Sequence, residues 1–346
     1  MRIRPWAEPC TMLLLMLLAG LASCGATTPA ASATPTAVPA PSVLKGDFRV
    51  HDPSMIRQGG TYYVFSTGEE YGLNQGNIQI RKSTDLVNWE LVGTVFPTIP
   101  DWIGKTIGGT PPNLWAPDIS SFNEKYYLYY AGSRFGTNNS VIGLATNTTL
   151  DPASPDYKWV DEGLVIRSTS SDNWNAIDPN LSFDADNTPW LSFGSFWDGI
   201  KMRQIDPRTG KLATADTSLH SLASRGGDPI EAPSIIYRDG SYYLFVSFDF
   251  CCRGANSTYK IMVGRATSIT GPYIDRDGKR MDQGGGTLIL ESKDRYRGPG
   301  GETAFLDNGI YRLVHHYYDA LDNGVPKLQI HDLVWTNDGW PALRGP

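Results

Sequence analysis

The sequence has few of the residues that mark several common classes of protein. Only 4 of its 346 residues are cysteine, and it contains no C-x-x-C or H-E-x-x-H spacing that would indicate a structural or catalytic zinc site. It has no excess of positive charge, because its formal net charge is −6, so we expect neither nucleic acid nor anionic lipid as a partner. Helical periodicity is nearly absent, which disfavours helical and mixed α/β folds.

The four cysteines do not indicate a disulfide framework. Cys10 and Cys24 belong to the N-terminal leader, and Cys251 and Cys252 are adjacent in the sequence. A disulfide between neighbouring residues requires unusual geometry. We therefore predict that Cys251 and Cys252 are reduced and packed.

One short apolar segment near the N-terminus predicts export. Arg2 and Arg4 precede the run "TMLLLMLLAGLA", which is too short for a comfortable membrane span and fits the hydrophobic region of a signal peptide. The following "LASC" resembles a bacterial lipobox, in which Cys24 would carry lipid after cleavage; the alternative is an ordinary signal peptide. We predict a signal peptide over residues 1–23 and a protein that is lipid-anchored at the cell surface or secreted.

Residues 24–44 and the remainder of the chain differ sharply in composition. The first segment is almost entirely Ala, Thr, Pro and Ser, a composition that cannot bury a core, so we predict a tether. Residues 45–346 are enough for one all-β sandwich or closed ring. We expect this domain to be a monomer whose acidic surface does not affect binding of a neutral polymer.

Five segments of this domain repeat one pattern, a short strand, a polar turn and an aromatic strand. Four of them are anchored at Pro53, Pro117, Pro179 and Pro233, and the fifth is "GETAFLDNGIYRLVHHYY". A further strand pattern follows each hairpin. Repeats of about four strands at this period are the signature of a β-propeller. We therefore predict an all-β fold, a single five-bladed β-propeller over residues 45–346.

Three acidic residues stand near the starts of the repeated strands. Asp52 and Asp178 directly precede a proline, and Glu231 lies two residues before Pro233. A single Asp-Pro is a common turn starter, but strand starts of a propeller meet at one mouth of its channel, so three acids could converge there. Such a set suits glycoside hydrolysis, in which one acid protonates the leaving oxygen while another activates water. Asp118 follows its proline, so alternation turns it to the other face, and we expect a structural role.

Several motifs carry a family resemblance. "VHDPSMI", "NLWAPDIS", "NAIDPNL", "PIEAPSIIYRDGSYYLFVSFDFCCRG", "YRGPGG" and "VHHYYDA" resemble the endo-1,5-α-L-arabinanases of glycoside hydrolase family 43, and the similarity runs from about Val50 to Trp340. The resemblance implies a five-bladed propeller that cleaves arabinan with inversion. It also implies that Asp52 is the general base, Glu231 the general acid, and Asp178 the carboxylate that raises the pKa of the acid and positions it.

The same resemblance implies a cation, usually calcium, in the central channel beside His316. His315 and His316 are neighbours on a strand, so only one of them can face the channel. A lone histidine is an odd ligand for calcium, which prefers oxygen, and a packed, hydrogen-bonded His316 is the alternative. We expect His315 to be structural.

Sugar-binding residues are less strongly indicated. Trp115 and Phe135 match aromatic positions that line the cleft of the family, and Asn175 and Ser195 could hydrogen-bond arabinose hydroxyls. Each of these four residues also has a plausible structural role.

Other functions remain open on the same fold. An exo-acting arabinofuranosidase or β-xylosidase would use the same acids and differ only in loops that close the groove; the absence of a long insertion favours endo action. A non-catalytic carbohydrate-binding propeller is less expected, because it would not need all three acids. A retaining hydrolase would hold its carboxyls only about 5–5.5 Å apart.

Overall fold

The computed structural model describes residues 43–69 and 76–344, whose regular structure is almost entirely strand. The predicted signal peptide, most of the tether and Cys24 lie outside the described residues. Within the described ranges, no helix is long and apolar enough to cross a membrane.

The strands form five consecutive sheets, and the predicted five-bladed β-propeller is confirmed. Blade 1 contains β1 (Lys45–Gly46), β2 (Ser54–Gln58), β3 (Thr61–Ser66), β4 (Gln79–Ser83) and β5 (Asn88–Thr94). Blade 2 contains β6 (Trp115–Phe122), β7 (Lys125–Gly132), β8 (Ser140–Asn147) and β9 (Val160–Ser168). Blade 3 contains β10 (Asn180–Phe183), β11 (Pro189–Phe193), β12 (Ile200–Asp206), β13 (Lys211–Leu212) and β14 (His220–Ala223).

The last two blades have four strands each. Blade 4 contains β15 (Ile230–Arg238), β16 (Ser241–Phe248), β17 (Lys260–Ala266) and β18 (Thr287–Leu290). Blade 5 contains β19 (Tyr296–Asp307), β20 (Ile310–Asp319), β21 (Val325–Trp335) and β22 (Pro341–Leu343). Helical structure in the described ranges is limited to α1 (Asp101–Ile107) and two single 3₁₀ turns, Gly254–Asn256 and Met281–Gln283.

The hydrophobic core lies between neighbouring blades. Period-two alternation gives each strand two apolar faces, and five clusters of buried side chains each join one blade to the next. Pairs that represent the five clusters, in order around the ring, are Phe65 with Leu128, Leu144 with Leu191, Met202 with Leu244, Phe245 with Leu313, and Val314 with Val64. Blade 5 is therefore packed on blade 1, which closes the ring.

Hydrogen bonds also join the two ends of the ring. The amide of Val50 donates to the carbonyl of Pro326 at 3.2 Å, and the amide of Leu328 donates to the carbonyl of Phe48 at 2.9 Å. The segment between β1 and β2 thus lies along β21 of blade 5. This closure satisfies backbone groups that an open ring would leave exposed.

The prediction for Cys251 and Cys252 is wrong, because the two residues form a disulfide. They lie in the loop after β16, where Cys252 adopts a left-handed backbone conformation with φ of 63°. This sharp turn brings the two side chains together. Strand and turn patterns do not predict such a local backbone conformation.

Candidate active site

Each of the five innermost strands has a residue of unusual backbone conformation within it or two positions before it. Asp52, Ala116, Asp178, Ala232 and Gly301 have φ values of 49°, 41°, 55°, 54° and 57°. Non-glycine residues rarely adopt this left-handed conformation, and a following proline normally favours an extended one. At the four non-glycine positions such strain costs about 1–3 kcal/mol per residue, and it concentrates at functional sites. The five residues surround one mouth of the central channel.

The structure brings the three predicted acids together at this mouth. Asp52 and Asp178 line the same cavity as Ala232, the neighbour of Glu231. The amide of Ala232 donates to Oδ2 of Asp178 at 3.1 Å, and the charges of Asp52 and Glu231 both act on the pKa of Asp178. The three acids are not all at equivalent positions: Glu231 lies one residue before the left-handed position, where blade 1 has His51.

The carboxylate of Asp52 is held in its ionised form. Its Oδ2 accepts a hydrogen bond from Oγ1 of Thr67 at 2.6 Å and contacts Nδ1 of His51 at 2.7 Å. Burial by itself would raise the pKa of Asp52, but the charge and hydrogen bond of His51, together with Thr67, outweigh burial and lower that pKa to about 2. Asp52 can therefore accept a proton from water at neutral pH.

The pKa values of Glu231 and Asp178 are raised, in contrast to that of Asp52. Burial is the main cause that raises the pKa of Glu231 to about 7; the charge of Asp52 adds to it, while a 2.5 Å hydrogen bond from Oγ of Ser195 opposes it. Burial first, and then the charges of Glu231 and Asp52, raise the pKa of Asp178 well above its ordinary value. Because the two carboxyls disfavour each other's ionisation, the pair retains a proton near neutral pH.

Glu302 is a fourth acid at the channel mouth, and sequence reasoning missed it. It follows Gly301, so it occupies the place that proline takes in the other four blades, and it is buried. Oγ of Ser247 donates to its Oε2 at 2.6 Å, while Oε1 has no partner among the described residues. Burial raises the pKa of Glu302 to about 8. Aligning "GETAF" with "DPSMI" would have revealed its position.

Asp118 has the structural role that the sequence predicts. Its Oδ1 accepts hydrogen bonds from Oγ of Ser54 at 3.4 Å and from Nδ2 of Asn180 at 3.0 Å, and its Oδ2 accepts one from the amide of Leu181 at 2.8 Å. These bonds join blades 1, 2 and 3. Burial raises the pKa of Asp118 to about 6.

We expect Asp118→Asn to destabilise the propeller without removing activity. The NH₂ group that replaces one carboxylate oxygen would face a group that now donates a hydrogen bond to Asp118. Two donors would then oppose each other, so the free energy of unfolding should fall by about 1–3 kcal/mol. Denaturant unfolding checks this, with Asp239→Asn in an exposed turn as the matched control, expected to change stability by less than about 0.5 kcal/mol. Equal stability of Asp118→Asn and the wild type would contradict the assignment.

The four predicted sugar-binding residues lie in different surroundings. Trp115 is half-buried and precedes Ala116 at the mouth, and Phe135 is 80% exposed in the loop after β7. Asn175 is buried, and its Oδ1 accepts from Oγ of Ser140 at 2.6 Å. Ser195 is buried, and its hydroxyl donates a hydrogen bond to the carboxyl of Glu231. Contact of these residues with a sugar stays a prediction.

His316 is fully buried beside the proposed base. Its Nδ1 accepts the amide proton of Asp52 at 3.1 Å, and its ring stacks on His51 with centroids 3.9 Å apart. Nε2 of His316 has no partner among the described residues. His315 is structural: its Nδ1 lies 2.8 Å from the carbonyl oxygen of His316, and its ring stacks on His331.

The side chains near His316 offer few ligand atoms to a cation. His51, Asp52 and His316 form a group whose candidate ligand atoms lie within 4.8 Å of one another. Nδ1 of His51 is already engaged with Asp52, and calcium prefers several oxygen ligands. A cation on Nε2 of His316 would require the ring proton on Nδ1, where the Asp52 amide now donates. The residues therefore do not form a calcium site built from protein oxygens, and a hydrated ion held through Nε2 would cost the hydrogen bond from the Asp52 amide to Nδ1.

A second concavity does not compete as the reactive site. It lies at the ends of the blade 1 strands that point away from the channel mouth, beside the loop after β8, has a volume of about 800 Å³, and is lined by residues that include Gln58, Lys82 and Asp151. It contains none of the carboxyls whose pKa values are raised by burial. The mouth of the channel is therefore the candidate active site.

Comparisons with known proteins show the family to which the chain belongs. Residues 43–341 match the family described as "Glycosyl hydrolases family 43". An extracellular endo-α-(1→5)-L-arabinanase of Bacillus subtilis is 50% identical over 297 residues, which cover 85% of this chain and 87% of that protein. An extracellular exo-α-(1→5)-L-arabinofuranosidase of Cellvibrio japonicus is 42% identical over 306 residues, which cover 85% and 86% of the two chains.

A solved structure has the same fold along nearly its whole length. The GH43 endo-arabinanase of Bacillus licheniformis superposes with a TM-score of 0.80 at 50% sequence identity. The match covers 87% of this chain and 99% of that one.

Proposed function

The chain belongs to family 43 of the glycosyl hydrolases, and we propose that it cleaves internal α-1,5-L-arabinofuranosidic bonds of arabinan with inversion. The 50% identity to the endo-arabinanase of Bacillus subtilis supports the substrate and the endo mode. The observation that carries the chemistry is the contrast between two carboxyls at one channel mouth. Asp52 has a lowered pKa, while burial raises the pKa of Glu231.

This contrast supports a separate role for each acid. Asp52, ionised, accepts a proton from a water molecule, and the oxygen of that water attacks the anomeric carbon. Glu231 gives its proton to the oxygen of the leaving sugar as the glycosidic bond breaks. The water adds from the side opposite the leaving group, so the configuration at the anomeric carbon is inverted. Asp178 accepts a hydrogen bond from the amide of Ala232, the neighbour of Glu231, and the two carboxyls share the retained proton, so that Glu231 can hold it before reaction.

We expect linear, debranched arabinan to give a ladder of oligosaccharides early in the reaction. Internal cleavage by an open groove produces several lengths at once, whereas an exo-acting enzyme releases one small product from the start. Chromatography of early time points separates the two modes, and proton NMR of the first product tests inversion. The 42% identity to the exo-acting enzyme of Cellvibrio japonicus makes the exo mode the second candidate. A single small product at early times would establish that mode and contradict ours.

A channel cation is a further part of the proposal, supported by Nε2 of His316, which has no partner among the described residues; binding would require that the ring proton move to Nδ1 and that the amide of Asp52 lose its acceptor. His316 would hold the ion through this nitrogen, with water as its other ligands, and the positive charge would favour the ionised form of nearby carboxyls. Calorimetric titration with calcium is expected to detect binding in the wild type that His316→Gln removes. Absence of binding in the wild type would contradict the site.

The location of the enzyme follows from the same relatives and from the leader. Both relatives are described as extracellular, which supports export of this protein. The "LASC" motif supports a lipid anchor on Cys24 at the cell surface. Residues 25–42 would then hold the propeller away from the membrane, where a polymeric substrate can reach its mouth.

A further inference from the structure

The Cys251–Cys252 disulfide lies against the base side of the active site. Cys252 is exposed, and its Sγ lies 3.9 Å from Nε2 of His51 and 3.9 Å from the hydroxyl of Tyr318. The reaction described above assigns no step to these sulfur atoms. Their position beside His51 nevertheless links the loop after β16 to the proposed base.

A chain of hydrogen bonds connects this loop to Asp52. The amide of Cys252 donates to the hydroxyl oxygen of Tyr318 at 2.8 Å, and that oxygen lies 2.6 Å from Nε2 of His51. Nδ1 of His51 lies 2.7 Å from Oδ2 of Asp52. The direction of hydrogen-bond donation is fixed at both ends of this chain, because the amide of Cys252 can only donate and the ionised carboxylate of Asp52 can only accept. His51 therefore carries a proton on Nδ1.

The disulfide constrains the first donor of this chain. The S–S bond closes a small covalent ring that includes the peptide bond between Cys251 and Cys252, so the donating N–H belongs to the ring. Cys252 has a φ of 63°, a conformation that a non-glycine residue does not favour when it is free. Opening the ring would release this peptide and with it the hydrogen bond to Tyr318.

We propose that the Cys251–Cys252 disulfide is a positioning element for the base, acting through Tyr318 and His51 on the carboxylate of Asp52. The inference rests on the proposed function, because it assumes that Asp52 activates water. None of the three linking groups belongs to the residues predicted to bind sugar. Loss of the disulfide should therefore lower kcat and leave KM nearly unchanged.

Reduction of the disulfide provides a direct test. A water-soluble phosphine breaks the S–S bond, which takes up two electrons and two protons to give two thiols, while the phosphine becomes a phosphine oxide with oxygen from water. We expect kcat on linear arabinan to fall about tenfold, as for loss of one hydrogen bond in a charged network. Alkylation and intact-mass measurement establish whether the bridge is closed before treatment and open after it.

The decisive comparison uses Tyr318→Phe, which keeps the ring and removes the linking hydroxyl. This variant should show the same loss of kcat while oxidised, and reduction should cause no further loss. Tyr317→Phe is the matched control on the adjacent residue, whose ring packs on Tyr296 with centroids 4.7 Å apart. It should keep full activity and still respond to reduction. The double variant Cys251→Ser with Cys252→Ser should reproduce the reduced state without phosphine.

A second measurement does not depend on activity. The ¹⁵N NMR signal of Nε2 of His51 should shift on reduction of the wild type and stay unchanged on reduction of Tyr318→Phe. Unchanged kcat and NMR signal after verified opening of the bridge would overturn the proposal, as would equal further losses in Tyr318→Phe, or free thiols in the untreated protein. An oxidised wild type that cleaves no arabinan would instead contradict the proposed function, and the NMR result would still decide the inference.

Discussion

Replacing Glu231 with Gln is expected to lower kcat on linear arabinan by roughly 10²–10⁴-fold, the usual contribution of a general acid. Gln is nearly isosteric and can still accept the hydrogen bond from Ser195, but it cannot give a proton to the leaving sugar. An alkoxide leaving group without that proton is a poor one. Steady-state hydrolysis of debranched arabinan measures the loss, and calorimetric binding of an arabino-oligosaccharide should be nearly unchanged.

The leaving group provides the control for this prediction. An aryl arabino-oligosaccharide whose leaving group is a dinitrophenolate needs no protonation, so Glu231→Gln should keep most of its activity on that substrate. Equal losses on the two substrates would contradict the role of Glu231 as acid.

The pH profile tests the same residue in the wild type. With its pKa raised to about 7, Glu231 is protonated below that pH and loses its proton as the pH rises through it. Activity on arabinan should therefore fall above about pH 7, and this fall should be absent from the residual activity of Glu231→Gln. Asp52, with its pKa lowered to about 2, should cause no corresponding loss between pH 4 and 7.

Replacing Asp52 with Asn should lower kcat as strongly as the change at Glu231, but on both kinds of substrate. Water must be deprotonated whatever the leaving group is, so kcat should fall by roughly 10²–10⁴-fold on both arabinan and the aryl substrate. Asp118→Asn, the same chemical change at a buried site that joins three blades, is the matched control and should retain its kcat. Parallel assays of the two variants on the two substrates make the comparison.

The same residue distinguishes inversion from retention. If Asp52 acts as base, no covalent glycosyl-enzyme forms, and intact-mass measurement during turnover should show only the free protein. A trapped adduct on Asp52 in the wild type would mean that it is the nucleophile of a retaining enzyme and would contradict the proposed mechanism.

Part of the channel mouth could be predicted because four of the five repeats have a proline at the same position. The prolines at residues 53, 117, 179 and 233 gave the register of four innermost strands, and Asp52, Asp178 and Glu231 stand beside three of them. The fifth repeat has no such proline. Glu302 takes that place, which an alignment of "GETAF" with "DPSMI" would have indicated, while its burial at the mouth is a property of the folded ring.

His51 and Tyr318 show why other parts of the site could not be predicted. They are 267 residues apart, yet their polar atoms lie 2.6 Å from each other. The repeats single out neither of them, although His51 has in blade 1 the position that Glu231 has in blade 4. Their contact depends on the packing of blade 5 against blade 1, which the closing hydrogen bonds of Val50 and Leu328 secure.

The sequence by itself determined the number of blades, the hairpin that begins each of them and three of the four acids at the channel mouth, because strand alternation and turn residues act over a few positions along the chain. Only the tertiary structure decided which acid stays ionised, since burial, Thr67 and His51 set the pKa of Asp52 across distant segments. It also decided that Cys251 and Cys252 are joined, and that their loop contacts the base. These properties depend on distances through space and on the exclusion of water, which local patterns do not record.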